Sequence, residues 1–109
     1  MSAELTDLER ASIARIMQDR FPDFRIDGLV VTGRERTGVG VFVNLMDRLA
    51  QPLPDGVYQN AEATIEMEGL RFGVDFAVTA TDNRIAFLEL VTPDPAGWDG
   101  VQRPWRIVS

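Results

Sequence analysis

The sequence predicts an α+β domain, with an N-terminal helix packed on a roughly five-stranded antiparallel sheet. One stretch alone, from Thr6 onward, has a helical period. The remainder alternates short runs rich in Val, Ile, Phe and Thr with clusters of Gly, Pro, Asp and Asn, and most of these runs are joined by links of hairpin length. A chain of 109 residues fits a single domain, 1–109, and can bury a core without metals or disulfides.

The helix comes first. Thr6, Asp7, Leu8 and Glu9 match a capping box, in which the Thr6 hydroxyl and the Glu9 carboxylate serve the first free amides. Leu5, Leu8, Ile13, Ile16 and Met17 share one arc at about 100° per residue, with Asp7, Arg10, Ala14 and Gln18 opposite, so the helix is amphipathic and covers the sheet. Pro22 disfavours helical backbone before it and ends the helix near Arg20 or Phe21, and Phe21 and Phe24 anchor the exit.

Strands near 29–33 and 38–46 form a hairpin. The second is apolar on both sides, as expected of an interior strand covered on two faces, and Gly38 and Gly40 mark a bulge or a close backbone approach. They are no phosphate loop, since they open a strand and lack the Lys of a nucleotide cradle. Residues 47–60 read as a long connection that Leu49, Leu53, Val57 and Tyr58 fold over a sheet edge. The strand near 61–68 alternates, with Ala61, Ala63, Ile65 and Met67 inward. Glu62, Thr64, Glu66 and Glu68 point outward, where the acids guard against edge pairing.

The chain is organised around a hairpin of strands near 71–80 and 84–92, closed by Asp82 and Asn83, both tolerant of positive φ. Counting back from a two-residue loop sets Ala80 opposite Ile85, Val78 opposite Phe87, Phe76 opposite Glu89 and Val74 opposite Val91. That register places Glu89 among apolar side chains, where an ionised carboxylate needs a partner, and Arg34 and Arg36 are the candidates. Beyond the hairpin, Pro93, Pro95, Gly97 and Gly100 exclude a regular element. Trp98, Trp105, Ile107 and Val108 close the chain, either capping the open side of the domain, which is favoured, or forming a patch for a partner.

Composition narrows function by exclusion. With no Cys and no His, the chain has no disulfide, thiolate nucleophile or Cys-ligated zinc, and lacks the commonest general base; Asp, Glu, Arg, Ser, Thr and Tyr58 remain. No motif calls for a metal or cofactor. The acids at 94 and 99 lack the alternating spacing of a calcium loop. A net charge of −6 opposes nucleic acid and anionic membranes and favours a basic partner; the eleven basic residues are all Arg, as compositional bias also produces. No apolar run approaches the length of a signal or membrane span, which places the protein in the cytoplasm.

The segment Arg36-Thr37-Gly38-Val39-Gly40-Val41-Phe42-Val43-Asn44, with Asp82-Asn83-Arg84-Ile85 and Phe87-Leu88-Glu89, resembles a group of small, mostly uncharacterised bacterial proteins. These carry an R-T-G-x-G-F-F-like strand and a D-G-x-I-x-x-L-E-like hairpin. Val41 stands where that pattern has its first Phe, and Asn83 where it has Gly. The resemblance implies an α+β fold and brings no established activity. Some proteins of this size and acidity are immunity partners of toxins, an analogy of class.

Two functions compete. The favoured one is a non-catalytic protein-binding module, interaction or immunity-like, whose partner is another protein or a second copy of the chain. One helix cannot cover both faces of the sheet, so the second is covered by a homodimer or by the tail. The alternative is a small-molecule binder or carboxylate enzyme, with Asp75, Glu89, Arg34 and Arg36 converging on a pocket lined by Phe42, Phe76 and Trp98. Candidate binding residues are Arg34, Arg36, Tyr58, Glu89, Trp98 and Trp105, and none is assigned as catalytic or metal-binding.

Overall fold

In the computed structural model, which describes residues 3–59 and 62–109, the capping box forms as the sequence predicts. Thr6 N donates to Glu9 Oε1 at 2.9 Å and Glu9 N donates to Thr6 Oγ1 at 3.2 Å, starting helix α1 (Asp7–Arg20). It ends before Pro22, with Phe21 N donating to the Met17 carbonyl. Leu8, Ile13, Ile16 and Met17 are buried, as are Glu9 and Ser12, which the apolar arc does not single out.

Seven strands follow among the described residues: β1 (Leu29–Arg36), β2 (Gly40–Asp47), β3 (Gly56–Gln59), β4 (Thr64–Met67), β5 (Leu70–Thr81), β6 (Arg84–Val91) and β7 (Trp105–Val108). They form one antiparallel sheet in the order β1-β2-β6-β5-β4-β7, with β3 also paired to β5. The fold is thus α+β, a helix on an antiparallel sheet, with two strands more than expected. Both extra strands have four residues, too few to show a period, and owe their pairing to neighbours: β3 lies opposite Ala77 to Ala80, and β7 lies opposite β4. Ile65 and Met67 point inward and Glu66 and Glu68 outward, as the alternation predicts; Ala61 lies outside the described residues.

The long strand β5 serves two partners along its length. Its first part pairs with β4, its second with β6 and β3, and Gly73, at φ +71°, makes the transition. A Cβ at Gly73 would lie 2.5 Å from the Ile65 carbonyl oxygen, so only glycine fits. Gly40 is the second close approach, where a Cβ would fall 1.9 Å from the Leu90 carbonyl oxygen.

The central hairpin turns on Asp82 and Asn83, at φ 56° and 60°, and pairs Thr81 with Arg84 and Ala80 with Ile85 as counted from the loop. There the expected register ends. Ala86 is an extra residue in β6, a β-bulge, and beyond it Thr79 faces Phe87, Val78 faces Leu88, Ala77 faces Glu89, Phe76 faces Leu90 and Asp75 faces Val91. Every side chain of β6 after the bulge therefore points to the face opposite the one expected.

One continuous core results. Leu29, Val31, Val41, Val43, Leu45, Val74, Phe76, Val78, Leu88 and Leu90 line the side of the sheet that packs with α1, and Leu53, Ile65, Met67 and Trp98 join them. The tail runs along the helix, where Gln102 Nε2 donates to Thr6 Oγ1 at 3.0 Å. It therefore adds to the core that α1 already covers.

Candidate functional site

The register divides the main sheet into two faces of different chemistry. Away from the core, one row crosses β1, β2, β6, β5 and β3 as Glu35, Phe42, Glu89, Ala77 and Gln59, and the next as Gly33, Asn44, Phe87, Thr79 and Val57. The pairs Val30 with Met46, and Val91 with Asp75, extend this face at either end. Phe42 and Phe87 meet edge to face with ring centres 5.5 Å apart, and both stay partly exposed. Met46 is 49 % and Val57 62 % exposed. The expectation that β2 is covered on two sides is thus corrected: Val41, Val43 and Leu45 are buried, whereas Phe42, Asn44 and Met46 are not.

The charge in the middle of this face is negative, and Arg84 lies at its hairpin end opposite Thr81. Glu35, Asp75 and Glu89 hold no hydrogen bond or ion pair among the described residues. The arginine nearest in register, Arg84, sits at the hairpin tip and donates to the Asn83 carbonyl at 2.9 Å. Asp75 and Glu89 share a hollow of about 260 Å³ with Gln59, Ala63, Ala77 and Val91. Chemically, the face offers apolar contact area and negative charge.

The six residues singled out from sequence do not converge. Glu89 lies on the open face instead of among Val74, Phe76 and Val78, because the bulge at Ala86 turns it outward. Its expected partner, Arg34, is engaged on the other side. Arg34 Nε donates to Glu9 Oε2 at 2.8 Å and Nη2 to Glu9 Oε1 at 2.7 Å, a bidentate pair in which the Glu9 side chain is 1 % exposed. The carboxylate raises the Arg34 pKa further, and Arg34 Nη2 also reaches the Glu4 carbonyl at 3.2 Å. Arg34 therefore ties β1 to the helix cap and is not available to a pocket around Glu89.

Arg36 lies along Gly100, where a Cβ would come within 3.3 Å of Arg36 Cγ. Nearby, two hydrogen bonds from Arg103, at 3.1 and 3.0 Å, together with the Val101 amide and the charge of Arg36, hold the Asp99 carboxyl at about 2. A depressed carboxyl stabilises the folded loop above its ordinary range near 3.8 and loses that contribution as pH falls toward 2. Trp98 is buried, its amide donating to the Gly38 carbonyl and its Nε1 to Val101, both at 2.9 Å, so it caps the core as favoured. Tyr58 packs edge to face on Phe21, takes Arg20 over its ring at 5.8 Å and donates its hydroxyl to the Pro54 carbonyl. Trp105, half-buried in β7, borders a trough of about 680 Å³ with Phe72, which is 52 % exposed. Two of the charges there are engaged locally. Arg106 pairs with Glu66 at 2.7 Å, and Arg71 lies over the Phe72 ring at 5.4 Å.

Among the described residues, no group of three or more acids is placed to hold a metal ion, and no helix is long and apolar enough to cross a membrane. Met46, Val57 and Glu35 escape the sequence reading because their exposure depends on register and on what covers the sheet. In comparisons with known proteins, no family model, no curated protein and no solved structure matches the chain.

Proposed function

We propose that this protein is a non-catalytic protein-binding module that works through the uncovered face of its main sheet. The observation that supports this best is the combination of the Phe42–Phe87 pair with the exposed Met46 and Val57 on the sheet face away from the core. Apolar area of this kind is stabilised by association. The occupant is another protein, as in an immunity-like pairing, or a second copy of the chain, and either role is compatible with a cytoplasmic protein. The small-molecule alternative keeps only the hollow beside Asp75 and Glu89, without Arg34.

The test is a photo-cross-linking amino acid at Val57 or Met46, with the exposed helix position Gln18 as control, combined with light scattering at micromolar concentration. The expected result is a protein adduct from the sheet positions that is absent from Gln18 and lost in a folded Phe42→Ala/Phe87→Ala variant. A strictly monomeric protein giving no adduct from either sheet position would overturn the proposal.

A further inference from the structure

Which occupant the face accepts follows from its charge and size, and this inference rests on the binding role proposed above. Glu89 stands in the middle strand of a five-strand row, with Glu35 at one end and Asp75 diagonal to it. None of the three has a cationic neighbour within the face. A two-fold pairing of two copies places the same patch against itself, so the central Glu89 would meet the carboxylates of the other copy. Burying like charges together is doubly unfavourable, since each carboxylate loses water and gains repulsion. The chain's net charge of −6 adds to this at long range. Anionic partners, nucleic acid and acidic membranes included, meet the same opposition.

Geometry limits the shape of the occupant. Five strands at a spacing of about 4.8 Å make the face roughly 19 Å wide. A helix of 14 residues, the length of α1, is about 21 Å long at 1.5 Å per residue and so matches a face of that width. On the open face, Gly33 and Thr79 leave shallow ground on either side of the Phe42–Phe87 ridge, along which a second helix can lie.

We infer that the open face is the docking surface for a cationic amphipathic helix of another protein, whose apolar stripe packs on Phe42, Phe87 and Met46 while flanking Lys or Arg side chains meet Glu35, Asp75 and Glu89. The bound state is a helix-sheet-helix sandwich with one helix supplied in trans. The three carboxylates select the partner, because a neutral or acidic helix of the same shape leaves them buried without counter-charges.

The 109-residue chain is titrated, by fluorescence anisotropy, with a synthetic peptide of about 18 residues, five helical turns, carrying Leu on one stripe and Lys on its flanks. The controls are the same peptide with Glu in place of Lys, and a peptide of the same composition scrambled to lose the stripe. Two variants accompany the wild type: Glu35→Gln/Asp75→Asn/Glu89→Gln on the face, and Asp19→Asn/Asp23→Asn/Glu68→Gln away from it. Binding of the striped Lys peptide is expected to weaken by at least about tenfold in the face variant and by less than about twofold in the distant one. The Glu peptide is expected not to bind. Failure of the striped peptide to bind at low salt, equal binding of the scrambled or Glu peptide, or equal loss in both variants would overturn the inference. Cross-linking separates its failure from that of the binding role. An adduct at Val57 to a neutral or acidic segment, or to a second copy of the chain, retains the role and overturns the cationic helix, whereas absence of any adduct removes both.

Discussion

Phe87 and Leu88 are neighbours in β6 with opposite fates: Leu88 is fully buried in the core shared with α1, and Phe87 looks out from the uncovered face beside Phe42. Their hydrophobicity is similar, so what separates them is the presence of a cover. On the core side α1, Leu53 and Trp98 complete the packing, and the buried Ser12 and Glu9 both have partners: Ser12 donates to the Leu8 carbonyl at 2.8 Å, and Glu9 is held by Arg34 and Thr6. On the open side, apolar groups lie among carboxylates that have no partner. The first arrangement stores folding energy, and the second holds interaction capacity that folding has not used.

The largest expected effects test that division. Leu88→Ala should destabilise the fold by about 4 kcal/mol, through lost transfer energy and a cavity in a fully packed site. Phe87→Ala, although it removes a larger group, should cost about 1 kcal/mol, because its ring is partly solvated in the folded state. Denaturant unfolding with an unchanged slope measures both. Equal losses would mean that the open face is packed like the core.

Next in size is the ion pair that fastens β1 to the helix. Arg34→Ala leaves a fully buried carboxylate with the Thr6 amide as its remaining donor, and should cost about 3 kcal/mol, the scale for breaking a buried pair. Arg36 lies two residues further on the same strand, exposed along Gly100, so Arg36→Ala should stay within about 0.5 kcal/mol. The contrast can be read from the two unfolding midpoints. Near-equal values would show that the pair at Glu9 adds little beyond surface electrostatics.

Much of the fold was legible in the sequence because its signals were local. The capping box at Thr6 and Glu9, the helix stop before Pro22, the two-residue turn at Asp82 and Asn83 and the alternation from Ala63 to Glu68 each depend on a few consecutive residues, and each holds in the structure. The strands β3 and β7 depend on neighbours distant in sequence, and four residues carry no period that reveals them. The candidate site was less legible. Its placement depended on a register that a single inserted residue, Ala86, reverses. A physical clue was nonetheless present. A register that buries an unpartnered Glu89 among six apolar side chains carries a desolvation penalty of several kcal/mol, and a bulge that swaps Glu89 for Leu88 and Leu90 removes it. A lone acid landing on an apolar face is thus evidence for a bulge as much as for a hidden partner. Arg34 was misassigned for a related reason. Glu9 satisfies both the cap and the guanidinium, and a residue already given one role in a helix start does not advertise a second.

The smallest expected effect is also the most discriminating. Glu89→Gln keeps the size and hydrogen-bonding capacity of the side chain and removes its charge from an open face where Asp75 shares the same hollow. With no cation paired to it, the charge contributes no attraction to the isolated fold and some repulsion from Asp75. The variant should therefore unfold within about 0.5 kcal/mol of the wild type, or slightly later. A loss near 3 kcal/mol would mean that Glu89 is buried and paired, as the unbulged register requires, and would sink the assignment of the two faces. Unchanged stability together with weakened binding of a cationic helix is the pattern of a residue that acts on a partner and not on the fold, and it separates Glu89 from Glu9, whose neutralisation would remove the buried charge that holds Arg34.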